Sequence, residues 1–132
     1  MEPPRPRNLK HQPLENDIMK TLQQLKTLDV QAKEWFDRQN GNSYFSALVT
    51  LNYGLADEER HPVQMQYGYG SQFETAALET LQTLFPRARS LKKSPLWRWC
   101  QDHRVILRTS KEENCGKRDV KQYGETPAPA TV

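Results

Sequence analysis

Two alternating apolar runs meet at Asn40-Gly41, and a third closes on Gly68-Tyr69-Gly70. Period-two alternation on both sides of an Asn-Gly step constrains the chain to an antiparallel hairpin. Both residues tolerate the positive φ of a type I′ turn, whose twist suits a two-residue connection. Before the turn, Val30, Ala32, Glu34 and Phe36 share one side of a strand at about 29–38, with Asp29, Gln31, Lys33, Trp35 and Asp37 opposite. After it, a strand from Tyr44 to Tyr53 places Phe45, Ala47, Val49, Leu51 and Tyr53 on one face. Tyr44, Ser46, Leu48, Thr50 and Asn52 form the other. That smaller, semi-polar face suits an antiparallel strand with one side against a core. Gly54–Arg60 is an acidic connection. A third strand at about 62–68 opens on Pro62 and turns Val63, Met65 and Tyr67 inward.

The helices are read from 3.6-residue spacing. Ser71 with Glu74 makes a capping box, and Phe73, Ala76, Ala77, Leu81, Leu84 and Phe85 form a stripe that stops at Pro86. This helix, at about 72–85, is expected to cover the inner face of the sheet. Ser94-Pro95 opens a short helix that carries Leu96, Trp99, Cys100 and His103 on one face. Val105–Thr109 then reads as a strand. Upstream, Leu14, Ile18, Leu22 and Leu25 predict a helix at about 16–27, capped by Asn16 or Asp17. The expected fold is α+β in the order α-β-β-β-α-α-β, a three-stranded antiparallel β-meander covered by a helix.

Such a core needs only one domain, which suits a chain of 132 residues. Residues 1–13 hold four prolines and 125–132 form a Thr/Pro/Ala tail. Neither has the apolar content that offsets ordering entropy, so both read as disordered around a domain at 14–124. No apolar run reaches the ~18 residues of a membrane span, and no secretory h-region is present. The expectation is a cytoplasmic protein, without membrane contact, whose Cys100 and Cys115 stay as free thiols.

Charge is unevenly laid out. Residues 28–86 set Lys33, Arg38 and Arg60 against eight carboxylates, a net of −5. Residues 87–111 set Arg87, Arg89, Lys92, Lys93, Arg98, Arg104, Arg108 and Lys111 against Asp102, a net of +7. Asymmetry of this size points to a charged partner or to internal complementarity.

Catalytic and metal chemistry find little support. Cys100-x-x-His103 with Cys115 and His61 lacks the paired spacing of a zinc site, and Cys100 and His103 also fit the apolar face of a helix. There is no nucleophile elbow. Glu58-Glu59 and Glu112-Glu113 lie in polar turns, and Gly68-x-Gly70 is too short for a phosphate loop. The chain therefore reads as non-catalytic, with no cofactor or metal.

Two binding surfaces are expected instead. Trp35, Tyr44, Tyr67 and Tyr69 are of the types that dominate protein interfaces, and Asp57, Glu58 and Glu59 would suit a basic partner surface. Alternatively, Arg87, Arg89, Lys92, Lys93, Trp97, Arg98, Arg104 and Arg108 combine phosphate-binding charge with a stacking side chain, as nucleic-acid binders do. The α-β-β-β-α order also echoes the double-stranded RNA-binding domain. That domain opens its last helix with lysines, whereas here the turn reads Ser71-Gln72-Phe73-Glu74, so its phosphate contacts do not carry over.

Glu34–Ala47 (E-W-F-D-R-Q-N-G-N-S-Y-F-S-A) and Gln66–Gly70 (Q-Y-G-Y-G) resemble a family of small bacteriophage and prophage proteins. Trp97–Cys100, Val105–Thr109 and Lys117-Arg118-Asp119 extend the likeness over about residues 30–120. The N-terminal extension and the Pro/Ala tail depart from it. The resemblance implies an accessory protein of a bacterial host's cytoplasm. Together with the binding surfaces, that setting makes the expected role to bind and modulate or inhibit a host or defence protein complex, anti-CRISPR inhibition being one such activity.

Overall fold

The computed structural model describes residues 22–88 and 94–125. Three strands come first: Thr27–Asp37 (β1), Asn42–Leu51 (β2) and Glu59–Tyr67 (β3). Helix Gln72–Leu84 (α1), helix Leu96–Asp102 (α2), strand Ile106–Glu112 (β4) and helix Lys117–Tyr123 (α3) follow. β1, β2 and β3 form the expected antiparallel meander, but β4 returns parallel to β1. The result is a mixed four-stranded sheet in the order β3-β2-β1-β4.

One face carries the core. Leu28, Val30, Ala32, Phe45, Ala47, Val49, Leu51 and Val63 alternate inward. Onto them pack Phe73, Ala76, Ala77, Leu78 and Leu81 of α1, and Leu96, Trp99 and Cys100 of α2. The other face is crossed by α3, which the sequence reading did not anticipate. Val120 and Tyr123 are its only large apolar side chains, too few to mark a stripe. It is held by polar contacts instead. Ser46 Oγ donates to the Val120 carbonyl at 2.6 Å, and Lys33 Nζ bonds both Asp119 oxygens at 3.1 Å. The described order is thus β-β-β-α-α-β-α.

Several expectations shift. Residues 16–21 of the leading helix lie outside the described residues. From Leu22 the chain is a 3-10 turn, and it enters β1 at Thr27. Asn52 enforces that course: its Oδ1 accepts from the Lys26 and Thr27 N–H groups at 2.7 and 3.2 Å, and its Nδ2 donates to the Gln24 carbonyl at 2.9 Å. Asn52 sits at φ +54 and ends β2, so Tyr53 leaves the sheet and is exposed.

The hairpin loop is longer than a type I′ turn. Asp37 pairs with Asn42, which leaves residues 38–41 in the loop, with positive φ at Gly41 and not at Asn40. Asp37 Oδ1 accepts the Gln39 and Asn40 N–H groups, an Asx turn that favours this geometry.

In β3, Val63 opposes Ala47, whereas Gln66 opposes Phe45. The extra residue on β3 inverts the alternation. Tyr67, expected inward, therefore stands on the outer face and is 60% exposed. Phe36 keeps its inner parity but lies at the end of β1 and is 46% exposed. Pro62 lies within β3 rather than at its start, tolerated because β3 is an edge strand. The Ser71 side chain makes no cap; Gln72 Oε1 reaches back to the Tyr69 N–H at 2.9 Å. Pro95, not Ser94, is the N-cap of α2.

Candidate functional site

Register creates the most distinctive surface. Trp35 stands opposite Tyr44 across β1–β2, and Tyr44 opposite Tyr67 across β2–β3. The Trp35 and Tyr44 rings stack with centroids 5.4 Å apart and planes at 26°. Tyr44 and Tyr67 meet edge to face at 5.9 Å and 76°. Both geometries are favoured by the aromatic quadrupole. The three rings form a row across three strands of the outer face. At one end of the row Lys117, the first residue of α3, holds its Nζ 5.4 Å from the Trp35 ring centroid. Trp35 and Tyr44 are half-buried, so the row has a fixed base and an exposed Tyr67 tip.

Next to the row, Lys33 is clamped between Asp119 and the Tyr123 ring, whose centroid lies 5.0 Å from Nζ. The Asp119 hydrogen bond raises the Lys33 pKa, and burial raises that of Tyr123. This cluster fixes α3 beside Trp35.

The other residues expected at a protein interface divide. Tyr69 is exposed just past the end of β3. Asp57, Glu58 and Glu59 lie at the far end of the sheet. Tyr44 lies near one end of β2 and Leu51 at the other, and at about 3.3 Å per residue they separate row and acidic loop by roughly 23 Å. Each acidic side chain is also engaged locally. Asp57 accepts from Asn52 Nδ2 at 3.1 Å, and Glu59 contacts His61 Nε2 at 3.2 Å. Glu58 accepts from the Gly54 N–H and Arg60 Nε, contacts that lower its pKa.

The basic segment divides as well. Arg108 forks onto Asp29, Nε to Oδ2 at 3.0 Å and Nη2 to Oδ1 at 2.9 Å. Lys111 bonds Glu34 Oε1 at 2.8 Å and the Gly70 carbonyl at 3.1 Å. Burial works against the Lys111 charge, but Glu34 and Glu113 outweigh it and raise its pKa. Arg98 pairs with Asp102 one turn on, at 3.6 Å. Part of the charge asymmetry is thus internal complementarity between β1 and β4. Trp97, Arg98 and Arg104 are exposed on and after α2, on the opposite side of the sheet from the aromatic row. Arg89, Lys92, Lys93 and the Arg87 side chain lie outside the described residues.

Between α1 and the start of α2 lies an open cleft of about 530 Å³, lined by Glu74, Leu78, Glu79, Gln82, Pro95 and Leu96 among others. No His, Cys or Lys lines it among the described residues. Cys100 is buried, which pushes its thiol up to about 12, and Cys115 lies separately in the turn before α3. Among the described residues, no three His, Cys, Asp or Glu side chains gather as a metal site would require, and no helix is long and apolar enough to cross a membrane.

Sequence reasoning named all three aromatic residues of the row but placed Tyr67 on the wrong face. It missed Lys117, whose position depends on α3. Compared with known protein families, curated proteins and solved structures, the chain matches none.

Proposed function

We propose that this protein acts by binding rather than by catalysis, and that the row Trp35–Tyr44–Tyr67 is where it meets another protein. One observation carries the reading: three aromatic side chains form a row, Tyr44 touching Trp35 on one side and Tyr67 on the other, on a sheet face whose neighbouring part is covered by α3. Trp and Tyr contribute more to protein interfaces than their numbers suggest, because they offer large area for little side-chain entropy. Mounted on strands, these rings are ordered before a partner arrives, which lowers the cost of association. The phage-type resemblance of the same hairpin suggests the partner, a host or defence protein complex whose activity the bound protein modulates or blocks.

The test compares Tyr67→Ser and Lys117→Glu with Leu55→Ser, an exposed control at the far end of the sheet. The wild-type chain is expected to retain one stoichiometric protein from a bacterial host lysate. Tyr67→Ser should weaken that complex by at least about tenfold, an ordinary hot-spot effect, and Leu55→Ser should leave it unchanged. Equal effects of Tyr67→Ser and Leu55→Ser would remove the row from the interface.

Nucleic-acid binding remains a second reading because Trp97, Arg98 and Arg104 are all exposed. It predicts oligonucleotide binding at about 0.15 M salt that Arg98→Ala with Arg104→Ala abolishes and Tyr67→Ser spares. That result, with no protein retained, would replace the first reading.

A further inference from the structure

The sheet has two edges, and they differ. β3 is blunted: Pro62 interrupts its outward donors and the irregularity opposite Phe45–Ala47 bends it. β4 has neither device. Ile106–Glu112 contains no proline or glycine and pairs with β1 in unbroken register. Its Ile106 N–H donates to the Lys26 carbonyl at 3.0 Å, which sets the parity of the strand. Ile106, Arg108, Ser110 and Glu112 therefore bond towards β1, and Leu107, Thr109 and Lys111 present their N–H and C=O groups outward. Among the described residues, none of those three N–H groups meets a backbone acceptor, and no strand lies beyond β4.

We propose that this edge is the interface for a second copy of the same chain, β4 pairing antiparallel with β4 about a two-fold axis at Thr109. The order of charges along the strand selects that occupant. Arg108 lies towards its start and Glu112 at its end, and Lys111 between them is already held by Glu34 and Glu113, so an antiparallel copy sets Arg108 against Glu112 where a parallel one sets like against like. About Thr109 the whole strand overlaps: Leu107 faces Lys111 of the second copy, and Thr109 faces its own counterpart. Such Thr–Thr pairs are among the favourable cross-strand contacts. Arg108, already forked onto Asp29, comes diagonal to Glu112 of the second copy. About six backbone hydrogen bonds close the seam, and the two four-stranded sheets become one. The aromatic row lies two strands or more from this edge at Tyr44 and Tyr67, so the dimer would present it twice.

Light scattering on the full chain across a concentration series tests the proposal. The expected mass is about twice 15.4 kDa. Thr109→Pro removes an outward N–H that the intramolecular sheet does not use, and should raise the dimer dissociation constant by at least about 100-fold while far-UV circular dichroism is retained. A wild-type monomer at every concentration overturns the proposal. So does a dimer that survives Thr109→Pro unchanged, or one lost in Tyr67→Ser instead. If Thr109→Pro fails to fold, Thr109→Cys in a Cys115→Ser background decides. Directly opposed residues at about 5.5 Å fall within disulfide range, so oxidised glutathione should link two chains, and absence of the link overturns the interface.

Discussion

Asp29 and Arg108 stand directly opposite each other across the parallel β1–β4 pair, and the guanidinium forks onto both carboxylate oxygens. Strands this distant in sequence are thereby matched in charge as well as in register. Arg108 is half-exposed and Asp29 much less so, which leaves the pair open to salt. Asp29→Asn is expected to lower the melting temperature at low ionic strength, and the gap to wild type should narrow at about 1 M NaCl, where the screening length is near 3 Å. A gap independent of salt would assign the loss to packing.

Asn52 is expected to be the most sensitive polar residue of the chain. Fully buried at φ +54, it satisfies the Lys26, Thr27 and Gln24 backbone groups and touches Asp57. Asn52→Ala strands those partners and leaves a β-carbon in the left-handed region without the short polar side chain that lets asparagine tolerate it, a combined cost of about 3–5 kcal/mol. Asn52→Gly relieves the backbone part alone and should be less damaging by about 1 kcal/mol. Urea unfolding of both variants measures the difference.

Gly124 sets how closely α3 approaches the sheet. A β-carbon there would lie 2.6 Å from the Val63 carbonyl oxygen and 2.8 Å from Ser46 Cβ. Gly124→Ala should therefore cost about 1–3 kcal/mol by overpacking. Ser46→Ala, which removes the hydrogen bond to Val120, should cost about 1–2 kcal/mol. In both, hydrogen exchange should accelerate in 117–123 before it does in β1 and β2. Uniform acceleration would show that α3 is not a separable layer.

Cys100 links stability to alkaline pH. Burial raises its thiol from 9.0 to about 12, so between those values the unfolded chain loses a proton that the folded chain keeps. Stability is fully present below pH 9 and falls as pH rises towards about 12, with a slope of at most about 1.4 kcal/mol per unit. Cys100→Ala should flatten that part of the profile, although it lowers stability at neutral pH by opening a cavity. Thiol titration should show Cys115 reacting first and Cys100 only with unfolding.

Alternation and turn residues made β1, β2 and α1 legible in the sequence, because each has an apolar face that meets the core. What stayed hidden depends on tertiary contacts. The added residue in β3 leaves no trace in composition, yet it moves Tyr67 to the face that Trp35 and Tyr44 share. Helix α3 is held by Ser46, Lys33 and a close glycine contact rather than by an apolar stripe. The function of Asn52 was likewise unreadable, since an asparagine at a strand's end looks the same whether it faces water or three backbone groups. The aromatic residues of the candidate surface were visible singly; only register shows that they touch.

The parallel pairing of β4 with β1 also has a consequence in time. Asp29 and Arg108 are 79 residues apart. On the ribosome, at about 5–20 residues per second, β1 would wait roughly 4–16 s for the strand that completes its second side. During that interval the meander can form, but its inner strand is still an edge. A nascent chain would thus be most prone to mispairing after β3 and α1 have emerged and before β4 has. Slowed translation across 85–105 should lengthen that exposure without altering the finished fold.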